Sequence, residues 1–303
     1  MKVIASIVAI FLFSTIAVAD MRVILLGTGS PFADPEKSGP ATAVIVDGVS
    51  WIIDAGPGVV RRASAAHMAG EPALAQPNLS RLLLTHLHSD HTLGLPDIMY
   101  SPWTLGRTSP LQIWGPPGTK DMAHNIEKAY TADLKMRLDG AEPANPNGWK
   151  TAVTETSGGV IFKGPTLSIE AIPICHGDWE IAFGYKFTHS GKVVIVSGDT
   201  TYCPALEKAA QNADVLIHEV YDSVALTKRK PAWQNYHSKA HTSGADVGKL
   251  ATNANVKSLV LYHQLVFDRF GGTKEAVLEQ IASTFSGSTT WGEDLMVIDL
   301  ASD

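Results

Sequence analysis

Cysteine is scarce in this chain: Cys175 and Cys203 are the only two in 303 residues. Two thiols do not make a disulfide framework, although 303 residues can bury a substantial core without one. The pair reads as two small buried hydrophobes, with a covalent link as the alternative. Long Lys/Arg runs are also missing. The formal charge is -6, from 24 basic and 30 acidic side chains. Phosphate binding is largely a matter of basic charge, so nucleic acid is not expected as the main partner. Beyond residue 20 no apolar stretch is long enough to span a bilayer, and no linker, low-complexity tract or short repeat divides the chain.

The first twenty residues differ from the rest. Met1-Lys2 gives a positive start, Val3 to Phe13 is apolar, and Ala17-Val18-Ala19 offers a small-x-small cleavage pattern before Asp20. The apolar stretch is short for a membrane anchor. Residues 1–19 are therefore expected to be a removed signal peptide, cleaved near Ala19. That leaves a single domain over 20–303, periplasmic or secreted, with no membrane span. Homodimer formation is left open.

The strongest positive feature is His86-Leu87-His88-Ser89-Asp90-His91, behind the apolar run Arg81-Leu82-Leu83-Leu84-Thr85. At a strand end His86 and His88 project to one side, and Asp90 and His91 follow where the chain turns. Imidazole nitrogen and carboxylate oxygen are the ligands expected for zinc or a similar divalent metal. Further strands end in the same kind of residue. Leu167 to Cys175 delivers His176, Val193 to Gly198 delivers Asp199, and Leu259 to Tyr262 delivers His263.

Around these residues, strands and helices alternate in two halves that each begin with antiparallel strands. Arg22–Leu26, Thr42–Val46 and Trp51–Ile53 open the first half, the last two as a hairpin about Asp47-Gly48. Leu167–Ile174, Ala182–Thr188 and Lys192–Val196 open the second. Helices are expected over 59–68, 119–130, 204–212, 243–253 and 274–285. The fold class is α+β: two mixed sheets packed face to face with helices outside, a four-layer αββα sandwich.

The hexad, His176, Ser197-Gly198-Asp199-Thr200 and Tyr262-His263-Gln264 together resemble the signature of metallo-β-lactamase-fold hydrolases. Within them the chain most resembles the ribonuclease Z and metal-dependent arylsulfatase-like branch, from Gly27-Thr28-Gly29 through Asp54-Ala55-Gly56 to His263. The resemblance implies a first ion held by His86, His88 and His176. A second would be held by Asp90, His91 and His263, with Asp199 bridging the two. Two Zn²⁺ ions are expected, with Mn²⁺ or Fe as alternatives, and a bridging hydroxide as nucleophile. Asp54 would orient ligands from behind. The resemblance also implies that Glu219 and His237 protonate the leaving group, with Asp90 a further catalytic residue; His241 is the alternative to His237, and either imidazole could instead cap the helix near Ser243. Trp103, Trp149, Trp179 and Trp233 lie in apparent loops and could wall a pocket.

Only 22 residues separate His176 from Asp199, too few for a long basic RNA-gripping arm. With the acidic charge and the leader, that favours a small-molecule ester, an aryl sulfate or phosphodiester, as substrate. A ribonuclease Z-type endoribonuclease, a lactonase and an iron-dependent redox enzyme on the same fold are the alternatives.

Overall fold

The computed structural model describes residues 21–300, so the expected leader lies outside the described residues. The first half contains β1 (Met21–Gly27), β2 (Ala41–Val46), β3 (Val49–Ile53), β4 (Arg81–Leu83), β5 (Leu111–Gly115) and β6 (Thr151–Glu155). The second contains β7 (Gly159–Lys163), β8 (Leu167–Pro173), β9 (Phe183–His189), β10 (Lys192–Val196), β11 (Val215–Tyr221), β12 (Ser258–Leu265) and β13 (Ser288–Trp291). The last strand, β14 (Val297–Asp299), returns to pair with β1, giving two seven-stranded sheets. In each, antiparallel pairings on one side give way to parallel pairings on the other.

Strand alternation builds the layers. Val23 and Leu25 of β1 face the second sheet, where they meet Phe183, Tyr185 and Val260. Ile24 and Leu26 face outward, under Val59, Ala63, Ile98 and Trp103 from the helices Val59–Met68 and Leu95–Thr104. The second sheet repeats this: Val194 and Val196 point inward, and Ile195 packs outward with Leu206, Val247 and Ile281. Strands apolar on both faces are what burial between two layers demands. The four-layer αββα sandwich follows.

Several elements differ from expectation. Leu95–Thr104 is a helix despite Pro96 and Pro102, because Pro96 sits in its first turn, where an amide hydrogen has no helical acceptor. Trp103 is therefore a buried helical residue, and Trp149 packs beneath the same core. A helix also spans Thr131–Asp139, and Pro231–Ala240 is helical with proline at its start. The loop after Asp139 is held by Arg107, almost wholly buried, which donates to the carbonyls of Leu79, Ile98, Met99 and Gly148. Burial pushes its guanidinium down to about 10. Replacing Arg107 with Met orphans these carbonyls and costs at least about 3 kcal/mol of stability. Denaturant unfolding of the variant checks this, and an unchanged midpoint would refute the staple.

Candidate metal centre

The hexad leaves β4 at the edge where the two sheets meet. Thr85 accepts from Phe183 N, and Tyr185 Oη donates to Leu84 O, so the second sheet grips the start of the segment. His88 caps the short helix Ser89–Thr92, which carries Asp90 and His91 inward. Asp54, at the end of β3 with φ 62°, stands behind them. Its carboxylate accepts from Thr85 N at 2.8 Å, from Thr85 Oγ1 at 2.8 Å and from His91 Nδ1 at 2.8 Å. His91 is thereby left with Nε2 facing the cluster.

The other side chains are aimed by comparable devices. His176 Nδ1 donates to the Ala240 carbonyl at 2.7 Å, which leaves Nε2 3.1 Å from His88 Nδ1. His86 Nε2 lies 3.0 Å from the same nitrogen. Asp199 follows Gly198, whose φ of 63° and close approach to the Phe183 carbonyl suit glycine. His263 sits in a β-bulge of β12: the register shifts between His218↔Leu261 and Val220↔Gln264, and its φ is 44°. The bulge re-aims the imidazole. His263 Nε2 comes within 3.3 Å of both Asp90 Oδ2 and Asp199 Oδ2, and His91 Nε2 within 3.3 Å of Asp199 Oδ2.

All seven expected ligands therefore come together. The donor atoms of His86, His88 and His176 lie within 4.8 Å of one another, as do those of Asp90, His91 and His263. Asp199 joins His86 and His91 in a third such group. The chemistry of this donor set fits two cations. Asp199 Oδ1 and His91 Nε2 are buried without a hydrogen-bond partner, an arrangement that costs free energy unless something else binds them. Burial lowers the imidazole of His86 well below its usual range and brings those of His88 and His176 down to about 4, keeping lone pairs free near neutral pH. Burial opposes ionisation of Asp199 too, but His263 and His91 hold it well below the usual carboxylate range. These His/Asp clusters are consistent with a binuclear metal site.

Glu219 and His237 do not come together as expected. Glu219 Oε1 accepts from Thr200 N and Thr242 N and lies 3.3 Å from His241 Nδ1. His237 instead accepts from Arg229 Nη1 at 2.7 Å through Nε2 and stacks on Trp233. The physical reason is where the helix ends. It stops at Ala240, and His241 turns out of it in extended backbone, φ -134° and ψ 167°, toward the carboxylates. The capping alternative fails for the same region, because Ser243 Oγ accepts from Asp246 N and caps its own helix. That Ser-x-x-Asp pattern is the sequence signal that frees His241. His218 points away, its Nδ1 on the Glu219 carbonyl.

A cleft of about 250 Å³ opens beside the cluster, lined by His88, His176, Trp179 and Tyr236. Trp179 donates to His88 Nε2 at 2.9 Å, so this tryptophan does wall the site. A larger cleft, about 310 Å³ between Trp103 and Asn145, contains no imidazole. Cys203 is buried, but Cys175 is exposed, contrary to a doubly buried pair, with the sulfurs 2.7 Å apart. No helix among the described residues is long and apolar enough to cross a membrane.

Comparison with known proteins places the chain in a family. Residues 50–264 match the family model of the beta-lactamase superfamily domain. The chain is 31% identical over 288 residues to the Ribonuclease Z of Mycobacterium marinum, covering 92% of this chain and 99% of that protein. It is 33% identical over 249 residues to that of Mycolicibacterium gilvum, covering 80% and 84%. Among solved structures it resembles the metallo-beta-lactamase fold protein YhfI from Bacillus subtilis, with TM-score 0.69, 17% identity and coverage of 92% and 99%. Human tRNase Z, short form, gives TM-score 0.68 and 21% identity, with coverage of 92% and 98%. The chain belongs to the metallo-β-lactamase superfamily, in its ribonuclease Z branch, and is a metal-dependent hydrolase of that fold.

Proposed function

We propose that the protein is a binuclear phosphodiesterase of ribonuclease Z type, cleaving a phosphodiester bond of an RNA. The observation that carries this reading is the Glu219–His241 pair beside the seven-donor cluster. An alkoxide departing from a phosphodiester needs a proton, and an imidazole steered by a carboxylate supplies one. Relatives named Ribonuclease Z, at 31–33% identity, support RNA over a small ester.

In this proposal His86, His88 and His176 hold one ion and Asp90, His91 and His263 the other, with Asp199 shared. When bound, the ions supply the Lewis acidity that lowers the pKa of a water and offsets charge on the phosphoryl oxygens. Asp90, whose Oδ2 lies 3.5 Å from His91 Nε2 and 3.3 Å from His263 Nε2, orients the attacking water and takes up its proton. Glu219 holds His241 so that its ring faces the departing oxygen. Burial and then the Asp199 charge push Glu219 well above its usual range. Asp54 keeps His91 in the one tautomer that offers Nε2. Asp54→Ala is therefore expected to weaken zinc affinity about 10–100-fold, measured by chelator competition. Unchanged affinity would remove this role.

A small aryl sulfate or phosphodiester is the second reading. It is favoured by the segment between His176 and Asp199, which β9 and β10 fill as a tight hairpin with no inserted arm. Incubation with a 3′-extended structured RNA and with aryl sulfate and diaryl phosphate panels separates the two. Discrete RNA cleavage is expected; turnover of aryl sulfate with RNA left intact would transfer the assignment. Removal of residues 1–19 on export belongs to the proposal. An intact mass beginning at Asp20 is the expected result for protein from its own host, and a retained Met1 would exclude it.

A further inference from the structure

Arg229 is the cation that the cluster described so far does not use. Its guanidinium lies 4.8 Å from the Trp233 ring centre, 5.0 Å from Phe267 and 5.5 Å from Phe270. Three aromatic faces around one guanidinium fix its position and limit its hydration. A guanidinium has five N–H donors. Here Nη1 donates to His237 Nε2, Nε is buried without a partner, and no carboxylate of the described residues pairs with the group.

The place is the rim of the metal centre. The His237 ring stands 5.4 Å from the His241 ring, which lies 5.6 Å from His263. Tyr236, next to His237, lines the cleft with Trp179. Trp233 and Tyr236 are exposed, edge to face at 5.9 Å, on the same helix face as His237. Lys228 and Lys230 flank Arg229 and are exposed, which makes this one locally positive spot on an acidic molecule.

We propose that Arg229 is a specificity residue that binds a second oxyanion on the substrate, while Trp233 and Tyr236 stack on the ring next to it. The shared chemistry is a planar ring bearing an anionic group. It is met by the next phosphate along a nucleotide chain or by a carboxylate on an aryl ester. Aromatic faces with a guanidinium form a stacking platform for such groups. The inference rests on the phosphodiesterase reading for its scissile bond. His237 is then a positioning residue, holding the guanidinium by its lone pair.

The test uses the zinc-loaded full chain, its Arg229→Met and Arg229→Lys variants, and two substrate pairs. One pair is a diaryl phosphate with and without a ring carboxylate; the other is the dinucleotide ApA with and without a terminal phosphate. Arg229→Met is expected to lower kcat/KM at least about tenfold more for the member with the second oxyanion, mainly through KM, and Arg229→Lys to lie between. The pair showing the gap identifies the source of the anion. Equal losses within both pairs would overturn the proposal. If none of the four turns over, the phosphodiesterase reading has failed by itself. Calorimetric binding of the phosphorylated against the plain dinucleotide then decides Arg229. A preference of about tenfold that Arg229→Met abolishes supports it, and no preference in the parent protein overturns it.

Discussion

Replacing Asp199 with Ala is expected to leave purified protein with about one metal equivalent or fewer and to cut phosphodiester turnover at least about 10³-fold. The carboxylate faces His91 and His263 through Oδ2, while Oδ1 is buried with no partner of its own. Its carboxylate groups with His86 and His91 and also with His241 and His263. In the proposed centre it would be a ligand shared by both cations, so losing it would weaken the hold on each and leave the facing imidazoles without their counter-charge. Several kcal/mol of transition-state stabilisation are at stake, and each ~1.4 kcal/mol is a factor of ten. Thermal unfolding keeps the result interpretable, because Asp199 lies on a turn at the sheet edge and not in the inter-sheet core. A folded variant with both metal equivalents and normal turnover would show that the bridge is misassigned.

The second large effect separates His241 from His237. With a poor alkoxide leaving group, His241→Ala is expected to lose about 10²–10⁴-fold in kcat, the range for a positioned general acid. With a nitrophenolate leaving group, which departs without a proton, the loss should shrink sharply. Glu219→Gln should follow the same pattern, since its Oε1 is the group facing His241. His237→Ala should act differently, through KM and without leaving-group dependence. Its Nε2 already accepts from a permanent cation, and burial, His241 and Arg229 together push its imidazole down to about 3. Burial also brings His241 down, to about 4, so it is the Glu219 carboxylate beside His241 and the guanidinium on His237 that separate the two rings. A leaving-group-dependent loss in His237→Ala, with His241→Ala near normal, would reverse the assignment.

That reversal from expectation shows what the linear chain makes legible. Four of the cluster residues are contiguous in the hexad, and three more end apolar strands, so their grouping needs little tertiary knowledge. The layered fold is legible for a related reason: β1, β2, β10 and β12 are apolar on both faces. The acid is a different matter. His237 and His241 are four residues apart, and the segment Pro231–Ala240 has weak apolar periodicity and carries exposed Trp233 and Tyr236. Its C-terminal end decides which imidazole leaves the helix, and that end is set by contacts 64 positions away, the Ala240 carbonyl taking His176 Nδ1. Edge strands β7 and β13 were hidden for a plainer reason. They are short and partly exposed, so burial left no alternating pattern to read. The bulge that aims His263 likewise belongs to the pairing of two strands and not to either sequence.

Hydrolysis is expected to depend on two cations held by these seven side chains. Elemental analysis of the purified protein, combined with turnover of a diaryl phosphate before and after chelation, tests it most directly. About two equivalents of divalent metal per chain are expected, with activity lost on stripping and restored by zinc. Metal-free protein that still hydrolyses the diester, or fully loaded protein that hydrolyses no phosphodiester, would contradict it.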